Sequence, residues 1–124
     1  MNNTIEARLE NGLTWVRGDL SILPPWNCEE LATATLVDTI SREQALAKEH
    51  TVVWSWMDKN ESTVRARTFA SDWGIPEDEA NGSGSMKLAA HLGKNLIIYH
   101  GMGSIIYANP SAHGYTEVGG RVRF

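Results

Sequence analysis

The chain has 124 residues, enough for one domain with its own core and too few for two. Its formal net charge of −4 argues against nucleic-acid binding, and the arginines alternate as strand residues do rather than forming a basic patch. The single cysteine, Cys28, excludes an internal disulfide and any multi-cysteine zinc site.

The opening MNNTIEARLE is polar and does not resemble a signal peptide, and no apolar run reaches membrane-spanning length. The expectation is a soluble cytoplasmic protein. Thr4 to Leu9 and Leu13 to Val16 flank Asn11-Gly12, a hairpin turn signal. Leu20 to Leu23 is expected to continue that sheet until Pro24-Pro25, since neither proline donates to a ladder. Glu29 to Ile40 reads as helix or loop. Ser41 followed by Gln44 reads as a capping box for a short helix to about Lys48.

Thr51 to Met57 (TVVWSWM) is a β-branched and aromatic strand. Trp54 and Trp56 face one side of it as core or interface residues, while Trp15, Trp26 and Trp73 look isolated. Val64 to Phe69 follows as a strand, with Val64, Ala66 and Thr68 on one face and Arg65, Arg67 and Phe69 on the other. A helix is predicted from Ser83 or Gly84 to Leu92, apolar nearly all round and so enclosed, with Gly93 as its left-handed cap. Leu96 to Tyr99, Ser104 to Ala108 and Tyr115 to Phe124 close the chain as strands. The sum is an α+β domain over residues 1–124. A strongly twisted sheet rolled around one central buried helix satisfies it, with the short helices at the edge.

The chemistry concentrates between Arg65 and Ala90. An acidic turn, Glu77-Asp78-Glu79, runs through Asn81 into Gly82-Ser83-Gly84-Ser85 and the apolar helix. A helix N-terminus presents N–H groups without intrahelical partners, and its dipole favours anions. Glycines let a ligand approach the backbone closely, and serine or asparagine caps the helix. A carboxylate beside such a pocket suits proton transfer on an acidic small molecule. His50, His91, His100 and His113 show no metal-ligand spacing, and no metal is expected. His100, after a strand, is the one placed to line a cleft.

Arg67, Phe69, Gly74, Ile75, Glu77, Asp78, Ala80, Gly82 and Ser83 together resemble the signature of the PhzF-like family. That family is named for the isomerase of phenazine biosynthesis and shares the diaminopimelate epimerase fold. Downstream, Tyr99-His100-Gly101-Met102-Gly103 and Val118-Gly119-Gly120 fall where the family has a glycine turn and a closing strand. The resemblance is strongest from Thr51 onward. It implies the second of two similar lobes, each a sheet around a central helix, with the active site in the cleft between them.

On that resemblance Asp78 matches the acidic site residue that binds or exchanges protons with the substrate. Gly82 and Ser83 match the turn holding a substrate carboxylate, with Glu77, Asn81 and Gly84 as further substrate-binding residues. Glu79 replaces the usual proline and Asn81 the usual threonine. The first-lobe glutamate and histidine have no counterpart here, and Cys28 is outside the motif, so two-cysteine chemistry is not implied. The implied activity is cofactor-independent proton transfer on a small carboxylate-bearing metabolite. The site would be completed by a homodimer about a twofold axis or by a separately encoded first lobe. The alternative is a non-catalytic remnant that binds a small anion or serves in assembly.

Overall fold

The structure is a computed structural model, and it describes residues 6–10, 13–111 and 114–120. It is mixed α+β. Strands β1 (Glu6–Glu10), β2 (Leu13–Asp19) and β3 (Asn27–Glu30) are followed by two short helices, α1 (Ala34–Asp38) and α2 (Arg42–Leu46), and then by β4 (Thr51–Asp58) and β5 (Thr63–Ala70). Then come β6 (Ile75–Asp78), the long helix α3 (Gly82–Leu92), β7 (Leu96–His100), β8 (Ser104–Pro110) and β9 (Tyr115–Gly120). Among the described residues these nine strands make one sheet in the order β1-β2-β9-β8-β7-β5-β4-β3, with β6 attached to β5. Most neighbours are antiparallel. The β3–β4 and β5–β7 pairs are parallel.

The core follows from side-chain alternation. On β4, Val52 and Trp54 face α3, while Val53 faces the other way. On β5, Val64 and Ala66 face α3, joined by Ile98 of β7, Ile106 of β8 and Val118 of β9. Met86, Leu88 and Ala89 of α3 fill the space between them. A Cβ on Gly18 of β2 would stand 2.7 Å from Met86 Sδ, and one on Gly84 of α3 would stand 2.8 Å from Val52 Cγ2. The helix therefore lies hard against both β2 and β4. Its second half is less enclosed than its composition suggests, because His91 is exposed and Lys87 and Ala90 are half-buried.

Caps set the helix ends as the sequence indicates. Ser41 and Gln44 form the reciprocal capping box of α2, although that helix stops at Leu46. Gly93 ends α3 at φ 65°, accepting the left-handed turn that a Cβ resists.

Three local expectations are corrected. Leu20–Ile22 is a 3₁₀ turn, not a continuing strand, because Asp19 Oδ1 captures the Ser21 N–H at 2.9 Å and bends the chain. The helices α1 and α2 cover the outer face of β4 and β5, through Val37, Ala45, Val53 and Phe69, instead of flanking the sheet edge. Trp26 and Trp73 are not isolated, since their rings meet edge to face at 4.9 Å and Trp73 stacks on His50 at 4.4 Å. The Asn11-Gly12 turn, His113 and the strand beyond Gly120 lie outside the described residues. Among those described, no helix is long and apolar enough to cross a membrane.

Candidate functional site

The site is built where β5 changes partner. Thr63 to Ala66 pair in parallel with β7, whereas Thr68 and Ala70 pair antiparallel with β6. The exchange falls at Arg67. From there β6 runs through Glu79, Ala80 and Asn81 into α3.

Alternation along β6 separates its two acids. Asp78 stands opposite Thr68 and shares its face, so Glu77 projects to the other side. There Arg67 holds it with two parallel bonds, Nε to Oε2 and Nη2 to Oε1, each 2.9 Å. The remaining Arg67 nitrogen, Nη1, donates to the carbonyls of Val37, Asp38 and Ile40 at 3.0, 3.2 and 3.1 Å. Glu77 thus orients an arginine that satisfies the C-terminal carbonyls of α1.

Asp78 is half-buried and accepts one hydrogen bond, from the Ala80 N–H at 3.2 Å. Beside it lies His100, which is 1% exposed. Its Nδ1 is 2.5 Å from the Glu79 carbonyl, and its Nε2 is 2.7 Å from Thr68 Oγ1. A carbonyl only accepts, so Nδ1 carries the proton and the Thr68 hydroxyl donates to Nε2 in the neutral ring. Burial pushes the His100 pKa below its ordinary value. That outweighs the upward pull of the Glu79 carbonyl and of the Asp78 and Glu79 carboxylates, while Arg65 acts with burial.

Glu79 turns away from this pocket. Its carboxylate accepts from the Met102 N–H at 2.7 and 2.9 Å and from the Ser104 hydroxyl at 3.0 Å. Gly101, at φ 62°, lies so close that any Cβ there would stand less than 3.0 Å from Glu79. The Glu79 carboxylate ties the β6–α3 turn to the β7–β8 turn. An open groove of 670 Å³ runs past Glu79, Ser104 and Tyr107. Asp78 does not line it.

Asn81 caps α3. Its Oδ1 accepts from the Gly84 N–H at 2.6 Å and the Ser83 hydroxyl at 3.2 Å, and its carbonyl accepts from the Ser85 hydroxyl at 2.7 Å. Ser83 Oγ in turn accepts from Trp26 Nε1 at 2.8 Å. Of the residues expected from sequence, Asn81, Gly82, Ser83 and Gly84 form the start of α3, and Asp78 ends β6 just before them. Glu77 does not join them.

Thr68 and Trp26 complete this neighbourhood and were not among the expected site residues, while His100, expected to line a cleft, is instead buried against Thr68. His100 ends an apolar strand just before a glycine turn, a position that directs its ring back toward the neighbouring strands. Trp26 carried no local signal, since it reaches Ser83 across 57 positions of sequence.

Two other groups stand apart. Glu49, His50 and Asp72 bring possible ligand atoms within 4.8 Å of one another, with His50 Nδ1 and Asp72 Oδ2 already bonded at 2.7 Å. Cys28 lines a groove with Lys87 and His91, and burial pushes its thiol up to about 11, which keeps it protonated and unreactive. A scan of protein-family models found no match to this chain.

Proposed function

We propose that this chain is a PhzF-like lobe that moves a proton on a small carboxylate-bearing metabolite without a cofactor, its site completed by a second copy or by a separate first lobe. The observation that carries this reading is Asp78. Its half-buried carboxylate ends β6 just before the α3 cap and accepts a single hydrogen bond, from the Ala80 N–H, so it is the acid of this turn least engaged within the chain. Glu77 and Glu79 are engaged elsewhere, which leaves Asp78 as the acid of this turn with room to react.

The packing of α3 supports the corresponding fold, a sheet rolled around one central helix. In the sheet order β2 and β4 are five strand spacings apart, about 24 Å if the sheet were flat. A helix is only about 10–12 Å across. Contact of α3 with both strands is accounted for by curvature of the sheet about it.

The test combines solution mass with isotope exchange. Light scattering behind a sizing column reports whether the chain is a dimer, and proton NMR in heavy water reports exchange of the hydrogen next to a carboxylate. A dimer that exchanges, with Asp78→Asn silent, supports the reading. A monomer without exchange, even when mixed with candidate first lobes, overturns it.

One observation favours the non-catalytic alternative. The Ser83 hydroxyl, expected to meet the substrate, already accepts from Trp26 and donates to Asn81. A lobe that binds an anion, or only assembles, would tolerate that closure.

A further inference from the structure

The turn between β7 and β8 displays its central side chain to solvent. Met102 is 94% exposed, more than any other large apolar residue among those described. An unsupported turn tip would be mobile and costly to order. This one is braced from two sides. The Glu79 carboxylate accepts the Met102 N–H at 2.7 and 2.9 Å and the Ser104 hydroxyl at 3.0 Å. From the other side the Arg65 guanidinium donates to the carbonyls of Tyr99 and Gly101. The Gly101 N–H donates to the Ala66 carbonyl at 3.0 Å, which ties the turn to β5 as well. Two charged side chains thus hold an exposed methionine in one place.

Apolar surface continues on both sides of it. Met57, Tyr99 and Ile105 are each more than a third exposed, and Tyr99 stands opposite Ile105 across the β7–β8 pair. One groove, of 390 Å³, has Met102 and Met57 in its walls together with Tyr99 and Arg65. The 670 Å³ groove lies on the side of Ile105 and Tyr107, and Met102 lines it too. A knob and two hollows therefore stand side by side. The charged groups that line them are matched within the chain, since Arg65 Nε holds Asp38 at 2.6 Å and Glu79 holds the turn. Among the described residues of the two grooves no cation is left for a phosphate or a lipid head group. Methionine, tyrosine and isoleucine with matched charge form the kind of patch that another protein covers.

We propose that a second copy of this chain docks here about a twofold axis, each Met102 entering the groove between Met57 and Tyr99 of the other copy. A twofold contact requires one patch to carry both halves of the fit, and this patch carries them. Methionine is unbranched and adapts to an irregular hollow, and its sulfur packs favourably against an aromatic ring such as Tyr99. Bracing by Glu79 and Arg65 lowers the ordering cost of docking. The purpose of the contact rests on reading Asp78 as half of a shared site. Glu79 follows Asp78 directly and grips the Met102 turn, so a copy seated there arrives close to the β6–α3 turn.

The test is light scattering of the full chain over a range of concentrations, paired with NMR of isotope-labelled methionine methyls. A dimer is expected. Raising the concentration is expected to move the Met57 and Met102 methyls together and to leave that of buried Met86 in place. Met102→Glu alters a side chain that stands in solvent, so its circular dichroism is expected to match the parent's. Its dimer dissociation constant is expected to rise about 100-fold or more, because the anchor is lost twice per dimer. Tyr99→Ala, which empties one wall of the groove, is expected to raise it about ten-fold. Added salt is expected to leave the parent dimer intact, because no ion pair crosses the contact. A monomer at every concentration overturns the proposal. So does a dimer that Met102→Glu leaves intact, or one that salt dissociates. A monomer whose Met102 methyl moves only when a separate first lobe is added also overturns it, and gives the patch to that partner. Isotope exchange keeps the two readings apart. A Met102-dependent dimer without exchange would sink the isomerase reading and leave the interface standing. Exchange by a chain that stays monomeric until a first lobe is added would do the reverse.

Discussion

The helices α2 and α3 begin with caps of the same kind and opposite completeness. At α2 the bonds are reciprocal, with Ser41 Oγ accepting the Gln44 N–H at 3.1 Å and Gln44 Oε1 accepting the Ser41 N–H at 2.9 Å. That pair is exposed, and water serves whatever remains. At α3 the cap is buried, and its amide nitrogen goes unmet. Water makes an incomplete cap cheap at the surface, whereas burial makes it expensive.

The sharpest way to break the comparison is at Asp78. Asp78→Asn is expected to lower isotope exchange by about 100-fold or more while leaving the thermal midpoint close to that of the parent. If exchange survives, the α3 end has no chemistry to set it apart from α2. Next is Gly84→Ala. Its methyl would stand 2.8 Å from Val52 Cγ2 and 3.1 Å from Asn81 Oδ1, so an overpacking loss of about 1–3 kcal/mol in urea unfolding is expected. A neutral result would mean that α3 is free to slide against β4.

The buried histidine gives a dependence on pH that α2 lacks. His100 has a folded pKa below its ordinary 6.5, so the unfolded chain takes up its proton first. Stability is therefore expected to fall as pH drops below about 6.5, and to keep falling until the folded ring protonates as well. His100→Gln retains a donor for the Glu79 carbonyl and is expected to flatten that slope in parallel urea titrations. An unchanged slope would assign the acid sensitivity to other groups. Smallest is Ser41→Ala, which should cost about 1 kcal/mol and leave isotope exchange unaltered.

Elements whose own side chains declare their burial were legible in the sequence. The β-branched and aromatic run of β4, the alternation in β5, the apolar run of α3 and the caps at Ser41 and Gly93 all fall where local rules put them. Two strands were not. Asn27–Glu30 pairs in parallel with β4 although three of its four residues are exposed, and Ile75–Asp78 looks like an acidic turn because all but Asp78 are exposed. Missing β6 hid the two-residue alternation that sends Glu77 to Arg67 and leaves Asp78 beside Thr68. Glu79 shows a different limit. Its carboxylate is used 23 positions away at Met102, and local spacing does not signal a contact at that range.

The pairing of β2 with β9 sets Trp15 against Gly119, bringing the second strand of the chain beside the last described one. The indole lies flat on that glycine, since a Cβ there would stand 2.7 Å from the ring. Such distant partners meet late, because closing a long loop costs entropy before any contact repays it. On the ribosome, Val16 and Met86 must therefore wait with their apolar surfaces open until residues 115–120 emerge. At about 5–20 residues per second, that leaves several seconds during which the nascent chain carries exposed apolar surface, the condition that favours aggregation.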